Sequence, residues 1–425
     1  MATENTNTTG ELTKIVYKDG LQEIPFDAGV VGDDFPMTAD AKLGQKLQFD
    51  VVLSLEHGIT YNGTAGSVVT LGDPVVANIK KAEVEAYETI MRTRISDRLM
   101  DDAVKAGPQA FDSATRVVLM NLQESAELRK EHSLLYGQLG LCQVSSVTEN
   151  TTSLTITVTA ATWCAALFES LEGAVFEAFD AQTATANQHN GDLTMATDGS
   201  NLAVDLDGKT ITVTGTHNAV APNDWLYFKG ARTTTAFNEM AGIMKLSTTT
   251  TGTLQGLSVS TYSRFRPNVA SSFGVVTFLK TLNAVRKLVA RRIRKGTWKM
   301  LQPSHAYEKL NSDLMAARRF DGSWKRAKGE AGNETVEFYG QTGTTAFTVH
   351  PLLRDGDMEM YGQANGFRTG SRELSFDSNP NDKNDIWTRR QDQNAYEARV
   401  RWVMSPALLR PAHVLACTGV TEATS

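Results

Sequence analysis

Leu47, Phe49, Val51, Leu53 and Leu55 alternate with Gln48, Asp50, Val52, Ser54 and Glu56, the two-residue period of a strand with one covered face. Gly58, Asn62, Gly63, Gly66, Gly72, Asp73 and Pro74 then punctuate the chain. An extended, polar-alternating stretch over 75–95 follows, so the pattern predicts a long hairpin. At about 3.3 Å per residue a nine-residue arm reaches roughly 30 Å, and an isolated two-stranded ribbon is at best marginally stable in water. The hairpin therefore needs a neighbouring surface. Its partner strand alone cannot cover the apolar row, which makes Leu47, Phe49, Val51, Leu53 and Leu55 the candidate contact with further copies of the chain.

Downstream, Asp112 or Ser113 can cap a helix that meets no Pro and no Gly until Gly137, which predicts a helix to residue 138, roughly 36 Å long at 1.5 Å per residue. Val118, Leu122 and Ala126 form its narrow apolar stripe, and Glu124, Glu127, Arg129, Lys130 and Glu131 occupy the other positions. A strand is expected over 153–159. A helix over 163–179 is expected with Trp163, Leu167, Leu171, Ala174 and Ala178 on one face. Residues 181–270 change character to short strands, among them 210–214 and 225–228, between Gly, Asn, Asp and Thr turns, as in a small all-β insertion. Helical spacing resumes with Phe278, Leu282, Val285, Val289 and Ile293 on one stripe and Lys280, Lys287, Arg291 and Arg294 opposite. A second helix spans 305–318, and strands return over 346–350, 358–361 and 395–403. The first forty residues show little periodicity, which predicts an arm ordered by docking on another copy.

With 425 residues, 41% of them hydrophobic and 21% charged, the chain has enough apolar surface for two or three compact units. It contains no apolar run of membrane-spanning length, and its polar, Thr/Asn-rich start carries no secretory pattern, so no membrane partner and synthesis in the cytosol are expected. Cys142, Cys164 and Cys417 lack disulfide or zinc spacing and read as packed thiols. The net charge of -6 is unevenly spread: residues 264–328 carry a local +13, leaving -19 for the remainder. Residues 1–40 hold eight acids against Lys14 and Lys18. Such asymmetry serves nucleic acid, or lets one part of a copy attract a different part of the next. The polar face of an amphipathic helix is the plain reading beside both.

Catalytic patterns do not emerge. Gly208, Lys209 and Thr210 resemble the tail of a phosphate loop, but Ala203 stands where that loop needs Gly and the flanks read as strands, so a β-turn is expected. The seven histidines are scattered without metal spacing, and no nucleophile elbow or dinucleotide fingerprint is present. No catalytic residue, cofactor or metal is expected, and the chain does not read as an enzyme.

The order of parts resembles the major capsid protein of tailed bacteriophages, the Hong Kong 97-like fold. The resemblance is carried by Leu301-Gln-Pro-Ser-His-Ala-Tyr followed by a helix and Phe320-Asp-Gly-Ser-Trp324, by Val336-Glu-Phe-Tyr-Gly340 with Val349-His-Pro, and by residues 357–362 and 387–402 with Pro406-Ala-Leu after them. It implies an α+β fold with an N-terminal arm (1–40), an extended hairpin loop (41–95), a peripheral domain with a long spine helix (96–145), an axial domain (146–355) carrying the β-insertion at about 181–270, and strands returning to the peripheral domain (356–425). It further implies pentamers and hexamers of an icosahedral shell in a virion, assembled in the host bacterial cytoplasm around double-stranded DNA held by weak non-specific contact. Scaffold, portal and decoration proteins would be further partners. Some members crosslink a loop lysine to a neighbour's asparagine; Lys80 and Lys81 lie in the loop but no asparagine can be matched, so crosslinking is not expected. An encapsulin-like compartment shell and a basic nucleic-acid-binding protein of another fold stay open as alternatives.

Overall fold

In the computed structural model the alternating row forms strand Lys46–Val52, antiparallel to Ile79–Glu85 with Lys46 opposite Glu85 and Val52 opposite Ile79. The structure describes residues 30–38, 46–99, 108–150, 153–169, 171–189, 191–197, 203–215, 220–292, 296–320, 335–340, 343–362, 365–377, 386–389 and 392–422. The extended stretch over 75–95 is two strands rather than one. Ile79–Glu85 completes the hairpin, and Tyr87–Ser96 crosses to another sheet, where it pairs along its whole length with Ala395–Leu408. That sheet also holds Gly366–Phe376 and Thr388–Arg389. Its inner face, with Ala398, Val400, Trp402 and Met404 buried, packs on the long helix Pro108–Tyr136.

The helix meets the remaining sheets at its C-terminal end, where Leu134, Leu135 and Tyr136 are fully covered. Gly137 allows the exit: a Cβ there would lie 2.1 Å from the Met240 carbonyl, and its own carbonyl accepts from Gly242 N at 2.9 Å. Just past the helix end, Arg354 donates to the carbonyls of Leu139 (3.3 Å) and Gly140 while its guanidinium stacks 4.1 Å from the Tyr136 ring, a cation near the negative end of the helix.

Beyond the helix a seven-stranded sheet runs in the order Ser153–Val158, Cys142–Glu149, Trp225–Phe228, Val175–Phe179, Leu193–Met195, Thr210–Gly215, Val204–Asp205. Two expectations change here. The all-β unit starts near Cys142, because strands on both sides of residue 181 share its ladders. The helix expected over 163–179 is only the turn Ala165–Phe168; Gly173 at φ 78° breaks the run, and Val175–Phe179 is a strand. Apolar residues at helical spacing also suit a sheet covered on both faces. Lys209 lies in the turn between paired strands at φ 52°, with Val204 opposite Ile211, and its ammonium meets Asp355 at 3.1 Å, so the GKT stretch is the expected β-turn.

A second, mixed sheet takes the order Asn268–Ala270, Leu415–Thr418, Asp357–Gly362, Thr297–Gln302, Gly343–Val349, Thr335–Gly340. Met300, Met358 and Met360 join the core beneath helices Phe278–Ala290 and Ser304–Phe320. Glu359, on the alternate face, is completely buried, and neither carboxylate oxygen has a hydrogen-bond partner among the described residues. The Ser247 hydroxyl beside it donates instead to Ile243 O and Met244 O. Cys142, Cys164 and Cys417 are buried and unbridged, and burial pushes each thiol up to about 12.

Burial raises Glu359 to about 8, Glu239 to about 7 and Asp357 to about 6. A carboxyl whose folded value is raised keeps its proton in the native state after the unfolded chain has lost it. Stability contributed this way is complete below the unfolded value and is lost as pH rises through the folded one. Chemical denaturation of the unassembled subunit should therefore show Glu359 contributing a fall of about 1.4 kcal/mol per pH unit between pH 5 and 7. Glu359→Gln should remove that share of the slope and be the more stable form at pH 8; an unchanged slope would refute the assignment.

Candidate assembly surface

The hairpin has two apolar regions with different fates. Leu47 and Phe49 pack with Val84, Phe367 and Ala407, the Phe49 and Phe367 rings meeting edge to face at 5.7 Å, and Val51 and Leu53 join the main core. The opposite strand is held on that side too: Glu83 N donates to Gln255 O at 2.9 Å, and Lys80 lies 5.3 Å over the Tyr262 ring. The surface that the first strand needs is thus supplied by its own chain. Of the five residues expected to contact further copies, Leu53 is buried, Leu47, Phe49 and Val51 are half-buried against their own chain, and Leu55 is exposed.

Beyond Leu53 the hairpin leaves the body. His57 and Val75 still exchange both backbone hydrogen bonds, at 2.9 and 2.8 Å, and Asn62 Oδ1 orders the tip by accepting from Thr64 N and Ser67 Oγ. On this ordered ribbon Leu55, Ile59, Tyr61, Val68, Leu71 and Val76 stand in solvent, Val68 completely and Tyr61 at 87% exposure. Val52, Val75 and Ile79 extend the same apolar surface. Single exposed apolar residues are ordinary, but a concentration of this kind marks an interaction surface. The alternation in 47–55 identified the hairpin but not the tip, whose apolar residues are interspersed with turn formers and have no period.

The segment before the hairpin is fastened to the same body. Glu131, which lies off the expected apolar stripe, is buried; its carboxylate accepts from Val31 N (2.6 Å), Gly32 N (3.2 Å) and His350 Nε2 (3.1 Å). His350 Nδ1 accepts from Leu352 N, so Nε2 is the protonated nitrogen that donates to Glu131. Asp34 accepts from the Tyr361 hydroxyl at 2.6 Å and pairs with Lys299 at 2.7 Å. Phe35 is buried over Gly366, where a Cβ would come within 1.7 Å of its ring. Residues 30–38 therefore dock on their own chain rather than on another copy, while residues 1–29, 39 and 40 of the expected arm lie outside the described residues.

The basic helix is also reassigned. Its buried face is Thr281, Ala284, Val285 and Leu288, with only Val285 shared with the expected stripe. Lys280 donates to Phe273 O (3.2 Å) and Val275 O (3.0 Å), Lys287 to Val269 O, and Arg291 to Ser263 O (2.6 Å) and Asn268 Oδ1 (3.2 Å). These three tie the helix to the adjoining backbone instead of meeting acids. Arg294 lies outside the described residues, as do Ile293 and the Asp-Gly-Ser-Trp loop after Phe320. Among the described residues no His, Cys, Asp or Glu cluster could hold a metal, and no helix is long and apolar enough to cross a membrane.

Neither a protein-family model nor a curated protein sequence matches the chain. Structure does. The subunit in the capsid asymmetric unit of cyanophage A-1(L) superposes with a TM-score of 0.57 over 98% of this chain and 100% of that one, at 8% identity. The fold is that of a tailed-phage capsid protein. Lower likenesses are to the capsid of a native GTA particle (TM-score 0.47, 9% identity, 96% of this chain and 95% of that one) and to the SrpI encapsulin complex of Synechococcus elongatus (0.44, 9%, 100% and 99%). Within this capsid fold the hairpin root belongs to the subunit body and the tip projects from it.

Phe49→Asp should consequently act on the subunit itself. Placing a carboxylate against Phe367 is expected to cost on the order of 3 kcal/mol of unfolding free energy, read by urea denaturation under conditions where no assembly occurs. A loss of assembly with subunit stability unchanged would return Phe49 to an inter-copy role.

Proposed function

We propose that this chain is the major capsid protein of a tailed bacteriophage, self-assembling as pentamers and hexamers into an icosahedral shell around double-stranded DNA. The observation that carries the reading is the end-to-end likeness to a phage capsid chain, in which 98% of this chain and 100% of that one take part. The exposed apolar hairpin tip supports it, since a soluble monomer gains nothing from holding these side chains in water.

In Hong Kong 97-like terms, the hairpin Lys46–Val52 to Ile79–Glu85 serves as the extended loop, ending before strand Tyr87–Ser96, with Pro108–Tyr136 as the spine helix, and the six-stranded mixed sheet with its two helices as the centre of the axial domain. The seven-stranded sheet is the inserted β-unit. The four-stranded sheet against the spine helix forms the peripheral domain. Assembly takes place in the host cytoplasm, DNA is held by weak non-specific contact, and scaffold, portal and decoration proteins complete the particle. The chain acts as a structural protein, without catalysis.

Negative-stain microscopy of the expressed protein should show closed shells or sheets of pentamers and hexamers; a monodisperse monomer at tens of micromolar would overturn the proposal. The tip gives a sharper check. Val68→Asp with Leu71→Asp alters two solvent-exposed side chains, so subunit stability should change by no more than about 0.5 kcal/mol for each, while particles disappear from sedimentation velocity profiles. Particles that persist at parental abundance would exclude the tip from assembly.

A further inference from the structure

Asn followed by Gly occurs at Asn62, Asn190 and Asn365. The pair is chemically reactive, because a glycine has no Cβ to keep its amide nitrogen from the side-chain amide carbon of the residue before it. Asn190 lies outside the described residues, and the fold treats the other two in opposite ways. Asn365 is 8% exposed and bonded at both ends of its side chain to the Arg410 backbone, Nδ2 donating to Arg410 O and Oδ1 accepting from Arg410 N, each at 3.0 Å. Gly366 after it opens strand Gly366–Phe376 opposite Leu408 and lies so close to Phe35 that no Cβ fits. A reaction between Gly366 N and the Asn365 side chain would break both bonds in a covered site.

Asn62 stands exposed at the hairpin tip. Gly63 lies outside the left-handed region and a Cβ there would meet nothing within 4 Å, so no packing holds this peptide back. Asn62 Oδ1 accepts from Thr64 N at 2.9 Å and from Ser67 Oγ at 3.0 Å, while Nδ2 donates to Ser67 O at 3.2 Å. The Ser67 hydroxyl also reaches Thr64 O at 2.9 Å, so its proton is shared in the resting state. When Gly63 N adds to Asn62 Cγ, negative charge grows on Oδ1 and draws that proton to it. The two donors therefore bond the tetrahedral species more strongly than the amide, which is the condition for acceleration.

The reaction consumes only water. The Gly63 N–H gives its proton to solvent, its nitrogen bonds to Cγ, the Cγ–Nδ2 bond breaks, and ammonia leaves with a proton from water to give a succinimide. Water then opens the ring at either carbonyl, yielding aspartate, or isoaspartate in which the chain continues through the side-chain carboxyl carbon; nothing is oxidised or reduced. Either product loses the Nδ2 donor to Ser67 O and gains a negative charge. That charge sits on the ribbon that holds Ile59, Tyr61, Val68 and Leu71 in solvent, and covering an unpaired carboxylate with another surface is costly.

Resting on the capsid reading above, we propose that Asn62 is a self-modification site of the free subunit, converting to aspartate and isoaspartate with Thr64 N and Ser67 Oγ holding the oxyanion, and that the converted tip no longer joins another copy. The reaction thereby sets how long an unassembled subunit stays competent.

Peptide mass spectrometry tests it. Trypsin releases residues 47–80 as one peptide, since no Lys or Arg lies between Lys46 and Lys80, and that peptide holds Asn78, followed by Ile79, as an internal reference. In the full-length subunit incubated at neutral pH under conditions where no assembly occurs, Asn62 should convert at least about tenfold faster than Asn78 or Asn365, a barrier difference of about 1.4 kcal/mol. Gly63→Ala should slow the conversion by a similar factor, and Ser67→Ala by about threefold. Equal rates at Asn62 and Asn365 would overturn the site, and a faster reaction in Ser67→Ala would overturn the oxyanion role by showing that these hydrogen bonds restrain Asn62. Moved to assembly conditions, the aged parent should lose particles in proportion to its converted fraction while aged Gly63→Ala keeps them; converted subunits entering particles at parental abundance would overturn the effect on the tip. The mass readout needs no particle, so a fresh parent that never assembles would reject the capsid reading, and the tip effect with it, while the site itself stands or falls on its rate.

Discussion

The hydrogen bonds that satisfy the buried Glu131 carboxyl hold the long helix to the end of the mixed sheet. The carboxyl's partners come from three places far apart in sequence: the amides of Val31 and Gly32 and the imidazole of His350. Losing any one leaves a buried polar group under-bonded, at a cost of about 1–3 kcal/mol. The requirement therefore couples the N-terminal segment, the helix and the end of strand Gly343–Val349 into one arrangement. Arg354, one turn further along, repeats the logic with the opposite sign by bonding the carbonyls of Leu139 and Gly140. The helix is fixed at its buried end by polar groups of exact complement in charge and along its length by the apolar face of the four-stranded sheet.

That anchoring explains how a long, thin hairpin can be ordered. A free two-stranded ribbon is marginal, but here strand Tyr87–Ser96 is continuous with it and is held by ten paired positions on Ala395–Leu408. The root is further clamped by Phe367, Ala407 and Gln255. Covering the root leaves the tip with apolar side chains and no surface, so the same two strands supply an internal contact and an external one. Position along the ribbon, not the face alone, separates the two.

What the sequence disclosed follows from the range of each interaction. The period of residues 47–55, the unbroken run before Gly137 and the strand, proline, helix order at 301–314 are local signals, and the hairpin, long helix and strand-to-helix passage were legible from them. Long-range facts were not. Nothing near Glu131 distinguishes it from Glu127, because His350 lies 219 residues away. Nothing near Phe49 announces Phe367. Lys280, Lys287 and Arg291 have the spacing of a solvated face, yet each reaches a backbone carbonyl of a segment that folds beside the helix. The run from Trp163 to Phe179 was misread because apolar spacing of three and four also arises in a doubly covered strand preceded by a turn, and Gly173 was the only local clue.

The distribution of counter-charge carries the argument beyond one chain. Surface arginines that belong to a subunit's own architecture have carboxylates placed for them, as Asp377 and Glu88 are placed for Arg401. The exposed Arg264, Arg266, Arg286, Arg292 and Arg410 lie in two stretches that contain no acid and form no ion pair among the described residues. The hairpin tip shows the same incompleteness in apolar form. Apolar burial scales with area and resists salt, whereas exposed charge acts at a distance and is screened within about 8 Å at physiological ionic strength. Under the capsid proposal, charge would act between copies before contact and the apolar tip would act once they touch.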